Sequence, residues 1–243
     1  MSGIAITNLT KKFNERTAVD SLNLSIEQGE FFALLGTNGA GKTTAIKMLS
    51  CLLVPTSGDA LMMGNSLIKN SNAVKQIINV SPQETAIASK LTVKENLELI
   101  ARIYGKSVQE ATKKADEMLA TFRLTDRAKE RAKSLSGGTQ RKLSIAMALI
   151  TNPQILFLDE PTLGLDVHAR RDLWKTISEL KGKITIILTT HYLEEAEALA
   201  DRIGIMTRGK MRIIGTAEEI ISATGTATFE DAFLSFADKE AEK

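Results

Sequence analysis

Phe31-Phe32-Ala33-Leu34-Leu35-Gly36-Thr37-Asn38-Gly39-Ala40-Gly41-Lys42-Thr43-Thr44-Ala45-Ile46-Lys47-Met48-Leu49-Ser50 reads as strand, glycine-rich turn and helix. Gly36, Gly39 and Gly41 permit backbone conformations closed to other residues and remove side chains that would block a close anion. Successive N–H groups from Gly36 through Thr37, Asn38, Gly39, Ala40 and Gly41 to Thr44 then line a concavity at a helix N-terminus, which suits phosphate. Lys42 can reach the terminal phosphates of a nucleotide, and the Thr43 hydroxyl can ligate Mg²⁺. Gly, four arbitrary residues, then Gly-Lys-Ser/Thr arises by chance in roughly 1% of chains this long. The strand before it and the helix after it therefore decide for a phosphate loop over a structural turn.

A second edge of charge follows another apolar run. Ile155-Leu156-Phe157-Leu158 is the pattern of a strand buried on both faces, and Asp159-Glu160 ends it. Ligand sites in open α/β sheets lie at that end of the strands. Asp159 can hold Mg²⁺ directly or through water, and Glu160 can orient and deprotonate an attacking water. Phosphoryl transfer needs both tasks done, because its catalysis is mostly positioning and charge neutralisation.

The rest of the chain alternates strands and helices around these two points. Ile4–Phe13 and Leu22–Ile26 read as strands, and Phe13 is a candidate platform for a stacked base. Pro55–Gly58 breaks the helix after the loop, and Ala60–Met63 and Ile77–Val80 are short strands. From Ser81 the texture changes. Thr92-Val93-Lys94-Glu95 and Ser107-Val108-Gln109-Glu110 are capping boxes opening two helices, with no strong strand between Gln83 and Ser134. Residues 84–133 therefore read as a helical insertion. Leu135–Gln140 is a second glycine turn before a helix ending at Asn152-Pro153. Val167–Leu180 and Tyr192–Ala200 are helices, and Thr185–Thr189, Arg202–Met206 and Met211–Ile214 strands. Thr216 and Thr228 cap two last helices, and Asp238–Lys243 reads as a frayed tail.

Bulk properties narrow the function. With 31 basic and 29 acidic residues in 243, a formal net charge of +2, the long-range basic footprint of a nucleic-acid binder is missing. Cys51 is the sole cysteine, so no internal disulfide is possible. No stretch approaches the ~20 apolar residues needed to cross a bilayer, and Met1–Ala5 does not open a secretory signal. If the protein serves a membrane, another chain must cross it.

Leu135-Ser136-Gly137-Gly138-Thr139-Gln140 is absent from most phosphate-loop enzymes. With it, the sequence resembles the ATP-binding cassette family, the nucleotide-binding subunits of ABC transporters. Leu135–Gln140 resembles that family's signature, Gly36–Thr44 its Walker A loop and Ile155–Glu160 its Walker B strand. Pro82-Gln83 stands at the Q-loop, Gly164-Leu165-Asp166 at the D-loop, His191 at the switch histidine and Phe13 at the adenine-stacking aromatic. The resemblance runs from about Ile4 to Ile214. Thr37, Met147, Leu163 and Val167 depart from common family choices.

The resemblance implies a RecA-like mixed-sheet α/β core with an N-terminal antiparallel β-subdomain and a helical subdomain. The cassette would span residues 1–215, with 1–83 and 134–215 as catalytic core and 216–243 as a short helical extension. It implies ATP contacts from Phe13, Gly36–Thr44, Ser136, Gly137, Gly138 and Asp166, Mg²⁺ held by Thr43, Gln83 and Asp159, and catalysis by Lys42, Gln83, Glu160 and His191. Ser136–Gly138 makes a second anion nest. One ATP rarely needs two nests so far apart, and the family uses them by pairing two cassettes, identical or homologous, head to tail. The ending, from Thr190-His191-Tyr192-Leu193-Glu194-Glu195 to Phe229–Leu234, resembles bacterial exporters of the ABC-2 type. The expected protein is then the ATPase of an exporter, at the inner face of the cell membrane, docked by residues 84–133 on a separate transmembrane permease. Importer is the alternative, a soluble cassette acting on ribosomes or DNA a more distant one, and the signature argues against a kinase or GTPase.

Overall fold

The computed structural model describes residues 2–238. The expected tail therefore lies outside the described residues, except for Asp238, which ends the last helix. Two sheets share the work. A six-stranded sheet contains β3 (Phe31–Leu35), β6 (Ile78–Ser81), β7 (Ile155–Asp159), β8 (Thr185–Thr190), β9 (Arg202–Thr207) and β10 (Lys210–Gly215) in the order β10-β9-β3-β8-β7-β6. All its pairings are parallel except β10 with β9. A four-stranded antiparallel sheet adds β1 (Ser2–Phe13), β2 (Arg16–Glu27), β4 (Ser57–Met62) and β5 (Asn65–Ser66) in the order β2-β1-β4-β5. The mixed core and the antiparallel β-layer expected from the resemblance are both present.

Period-two alternation assigns the strand residues to two cores. Phe31, Ala33 and Leu35 with Leu156, Leu158, Ile186 and Leu188 face one way. They pack under α5 (Gly137–Leu149), α6 (Val167–Ser178), α7 (Leu193–Leu199), α8 (Ala217–Thr224) and α9 (Phe229–Asp238). Phe32, Leu34, Ile155, Phe157 and Ile187 face the other way, onto α1 (Lys42–Leu49), α2 (Ser71–Ile77) and the small sheet. β3, β7 and β8 are buried throughout, as strands covered on both faces must be.

Between β6 and α5 the chain makes α3 (Val93–Ile103) and α4 (Val108–Thr121). Both expected capping boxes are present, Thr92 with Glu95 and Ser107 with Glu110. Main-chain bonds from Val93 to Glu130, Lys94 to Ala128, Ala132 to Leu91 and Lys133 to Ser89 close this segment across its base.

Several elements differ from the sequence expectation. β2 starts at Arg16, not Leu22: Ser21 takes φ 50° and the β1–β2 register shifts three times between Ile6 and Lys12, so alternation is lost there. β4 begins at Ser57, inside the expected turn, and pairs it with Thr10. Helix α2 shows no periodicity because only Val74 of its seven residues is buried. α5 begins at Gly137 rather than after the signature, with Ser136 as its cap. Cys51 is half-buried, and Met62 is a core residue.

Candidate active site

Strand register builds the site. Leu35 pairs with Thr190, and Asp159 with Thr189. The glycine loop, Glu160 and His191 therefore leave the sheet from the ends of three adjacent parallel strands, at their carboxyl edge. A cleft of about 680 Å³ opens there, lined by Phe13, Arg16, Ala18, Asn38–Thr44, Gln83, Glu160, Leu163 and His191. A second cleft of about 750 Å³ lies at the opposite edge, near Gly29, Pro153 and Gly182. The direction of the strands, not the size of the cavity, selects the first.

The loop's glycines have separate causes. A side chain at Gly36 would put Cβ 2.3 Å from the Met206 carbonyl oxygen. Gly41 caps α1 at φ 105°, and a Cβ there would meet the Ala18 oxygen at 2.5 Å. These approaches lock the loop between the two sheets, and the Gly36 N–H is itself bonded to the Thr190 carbonyl and the Ala40 N–H to the Thr37 carbonyl.

Lys42 is 5% exposed and turned inward. Its Nζ donates to the carbonyls of Gly36 at 2.7 Å and Thr37 at 3.2 Å, and lies 3.3 Å from Glu160 Oε1. Glu160 Oε2 is 2.6 Å from His191 Nδ1. Ammonium, carboxylate and imidazole thus form one line along the cleft floor. Glu160 reaches this position through a backbone φ of 48°, a conformation costing a side-chain-bearing residue about 1–2 kcal/mol. Its N–H donates to the carbonyl (3.1 Å) and hydroxyl (3.2 Å) of Thr189. Asp159, also buried, accepts from Thr189 Oγ1 at 2.5 Å and from Thr43 Oγ1 at 3.3 Å. Thr43 Oγ1 and Asp159 Oδ1 are close enough to serve one hard cation, which prefers oxygen ligands.

Phe13 is 47% exposed at the end of β1, in neither core, with Lys11 Nζ 5.2 Å from its ring centroid. Phe13 also lines the cleft, where a stacking role would need it. Gln83 is exposed on the rim.

Ser136, Gly137, Gly138 and Asp166 do not line this cleft. Ser136 and Gly137 are exposed at the start of α5, where the Ser136 hydroxyl accepts from the Thr139 N–H. A Cβ at Gly137 would meet nothing closer than 3.9 Å, so packing does not demand glycine there. At Gly138 it would lie 2.9 Å from Ala169 Cβ, and close approach of α6 accounts for that residue. Asp166 caps α6 by accepting from the His168 and Ala169 N–H groups, both at 2.9 Å. The Ala169 N–H, with that of His168, holds its carboxyl below the usual carboxylate range. His168 is exposed, as expected.

Sequence reading missed three residues. Thr189 donates its hydroxyl to the Asp159 carboxylate and accepts the Glu160 N–H, and its signal was a hydroxyl at the end of an apolar strand. Arg16 pairs with Phe13 across the hairpin and lines the cleft. Arg141 is 4% exposed and bonds the carbonyls of Pro82 (2.6 Å) and Gln83 (2.5 Å). Nothing local distinguishes it from a solvated helix charge.

A glycine loop between strand and helix, an Asp-Glu strand end two strands away and a histidine just after the strand between them define a phosphate-loop nucleoside triphosphatase. The ABC transporter family model matches residues 19–163. The daunorubicin resistance ATP-binding protein DrrA3 of Streptomyces coeruleorubidus is 39% identical over 225 residues, 92% of this chain and 71% of that protein. The linearmycin resistance ATP-binding protein LnrL of Bacillus subtilis is 40% identical over 222 residues, 91% and 71%. Among solved structures, an ATP-binding subunit of an ABC transporter superposes with TM-score 0.84 at 29% identity, covering 96% of this chain and 99% of that one. A dimeric post-hydrolysis state of the ATP-binding cassette MJ0796, bound to ADP and Pi, gives 0.78 at 28%, covering 88% and 98%. The chain belongs to the ABC transporter family. It is the ATP-binding, ATP-hydrolysing cassette of a transporter.

His191→Ala is expected to lower kcat on the order of 10²-fold while ATP affinity changes little, as for a group acting mainly in the transition state. Steady-state hydrolysis combined with nucleotide titration checks this. Equal loss of affinity with kcat retained would make His191 a ground-state contact instead.

Proposed function

We propose that this cassette pairs head to tail, with a second copy or a homologous cassette, around two ATP molecules and drives export through a separate membrane-spanning permease. The observation that carries the pairing is the distance in role between the two nests. The cleft holds Lys42, Glu160 and His191 but not Ser136, Gly137 and Gly138, of which Ser136 and Gly137 stand exposed with space beside Gly137. A signature facing outward suits the nucleotide of another chain. The dimeric form of the MJ0796 relative supports this.

In each site Phe13 stacks on adenine, and Gly36–Thr44 cradles the phosphates. Lys42 exchanges its protein oxygens for those of the β- and γ-phosphates. Glu160 orients the attacking water and accepts its proton, while His191 holds Glu160 and the γ-phosphate in register. Asp166 closes the site by positioning the start of α6. Thr43, Asp159 and Gln83 are the residues that would hold Mg²⁺, which neutralises charge developing on the phosphates. No group of three or more His, Cys, Asp or Glu side chains able to hold a metal occurs among the described residues. Thr43 and Asp159 suit a cation that takes the rest of its oxygens from nucleotide and water.

Export is supported by the resistance proteins among the relatives. A separate permease fits the absence, among the described residues, of any helix long and apolar enough to cross a membrane. It also fits cbiO1, part of a multi-subunit ABC transporter complex, which superposes with TM-score 0.83 at 25% identity. The cassette then works in the cytoplasm at the inner face of the cell membrane, without nucleic acid. Residues 84–133, taken as a helical subdomain within a 1–215 cassette followed by a 216–243 extension, supply the docking surface. Leu99, Ile103 and Val108 are exposed there around a groove that includes Arg102. The test is co-purification from native membranes with the partner identified by mass spectrometry. A multi-span partner is expected. Charge reversal or bulky changes at Ser89, Lys90 and Arg102 are expected to release it while the purified subunit still hydrolyses ATP. A partner retained through a full scan of the segment would end the docking assignment, and a soluble or nucleic-acid partner the transporter reading.

A further inference from the structure

Arg141 stands one turn into α5, the helix that the signature opens, yet its guanidinium is spent on another part of the chain. Nη1 donates to the Pro82 carbonyl at 2.6 Å and Nη2 to the Gln83 carbonyl at 2.5 Å. A planar guanidinium presents two parallel N–H donors at a fixed spacing, which an ammonium does not. One turn further along the same face, Ser144 Oγ meets Ser81 Oγ at 3.1 Å, both groups buried. Before it, Gln140 Nε2 donates to the carbonyls of Ala132 (3.3 Å) and Leu135 (3.2 Å). Side chains of one helix thus grip the entry of the helical segment at Ser81–Gln83 and its exit at Ala132–Leu135. Arg141 is 4% exposed, and burial lowers its proton affinity, opposed by the nearby carboxylates of Asp159 and then Glu195. A buried cation held at that desolvation cost by two carbonyl acceptors is fixed in place rather than solvated.

We propose that Arg141 is a positioning residue for Gln83, binding the main chain of that loop to the signature helix so that Gln83 and Ser136 move as one body. Resting on the role proposed above for Gln83, this joins two different ATP molecules. In a head-to-tail pair, Gln83 serves the nucleotide of its own glycine loop, and Ser136 serves the nucleotide of the other chain. A change in the cation or γ-phosphate at one site is then carried through Arg141 and α5 to the other. The carrier is a contiguous set of bonds rather than a spatial path alone.

The test uses the full chain with Arg141→Leu and Arg141→Lys, each also made in a Glu160→Gln background. Hydrolysis of ATP with Mg²⁺ gives kcat and KM, thermal melting gives folding, and hydrogen exchange follows peptides covering 79–90 and 134–142 with and without ATP. Misplacing a ligand by about an ångström costs on the order of 10²-fold, so Arg141→Leu is expected to lose at least about ten-fold in kcat with KM within about three-fold. Arg141→Lys, which keeps the charge and one bond, is expected to recover part of that loss. In Glu160→Gln both peptides gain protection together on adding ATP. With Arg141→Leu added, protection in 79–90 no longer carries over to 134–142. Wild-type kcat in Arg141→Leu overturns the proposal. So does a loss shared equally by kcat, ATP affinity and melting temperature while the two peptides remain linked, which is the behaviour of a core residue. A wild-type protein that hydrolyses no ATP would instead overturn the functional reading itself.

Discussion

Glu160→Gln yields a protein that binds ATP but hydrolyses it some ~10²–10⁴-fold more slowly, the span expected when a general base is lost. The amide keeps the shape of the carboxylate and cannot accept the proton of the attacking water. Its two contacts also change character. Oε1 faces Lys42 Nζ at 3.3 Å and Oε2 faces His191 Nδ1 at 2.6 Å, so whichever position the amide nitrogen takes, one partner loses a charge-assisted acceptor. Binding survives because the glycine loop, Lys42 and Phe13 are untouched. ATP then persists between the nests and holds two chains together. Single-turnover hydrolysis measures the first effect, and sizing chromatography with ATP and Mg²⁺ the second. A rate within a few-fold of wild type would remove Glu160 from the role of base. A variant monomeric at every protein concentration would remove the head-to-tail dimer.

Lys42→Ala abolishes hydrolysis and weakens nucleotide binding. In the proposed site one ammonium serves both terminal phosphates, and no neighbouring cation is placed to replace it: Arg16, which also lines the cleft, is exposed beside Phe13 at its mouth. The substitution also strips Glu160 of its cationic partner and leaves the Gly36 and Thr37 carbonyls without their donor. Removing one member of a buried pair destabilises more than the pair is worth, so a thermal melt accompanies the assay. Hydrolysis at the wild-type rate by folded Lys42→Ala would show that Lys42 has been misassigned.

The parts of the site legible in the sequence are those where chemistry restricts residue type within a short stretch. Gly36, Gly41, Lys42 and Thr43 fall together in one short turn between strand and helix, although Gly36 and Gly41 also answer to the close Met206 and Ala18 carbonyls, and Asp159 and Glu160 fall together because a strand end presents adjacent carboxylates to one cleft. The capping boxes at Thr92 and Ser107 were equally local. Arg141 was not legible, because its partners are 59 and 58 residues away and its surroundings in sequence are polar. Thr189 was passed over as a strand residue, since its two acceptor and donor relations depend on register with β7. Helix α2 was not legible for want of periodicity, and the close approach of α6 to Gly138 depends on a segment about 30 residues further on.

The inward turn of Lys42 makes nucleotide entry an exchange rather than an addition. Its ammonium already has three oxygens around it, from Gly36, Thr37 and Glu160. A small anion reaching the ammonium displaces these contacts and gains only a comparable set in return. A triphosphate that also engages the loop's N–H groups and the aromatic at the mouth brings enough new contacts to win the competition. Once the γ-phosphate is cut away, the same three oxygens stand ready to reclaim the ammonium. On the proposed reading, the protein's own oxygens thereby compete with the bound phosphates for a single cation.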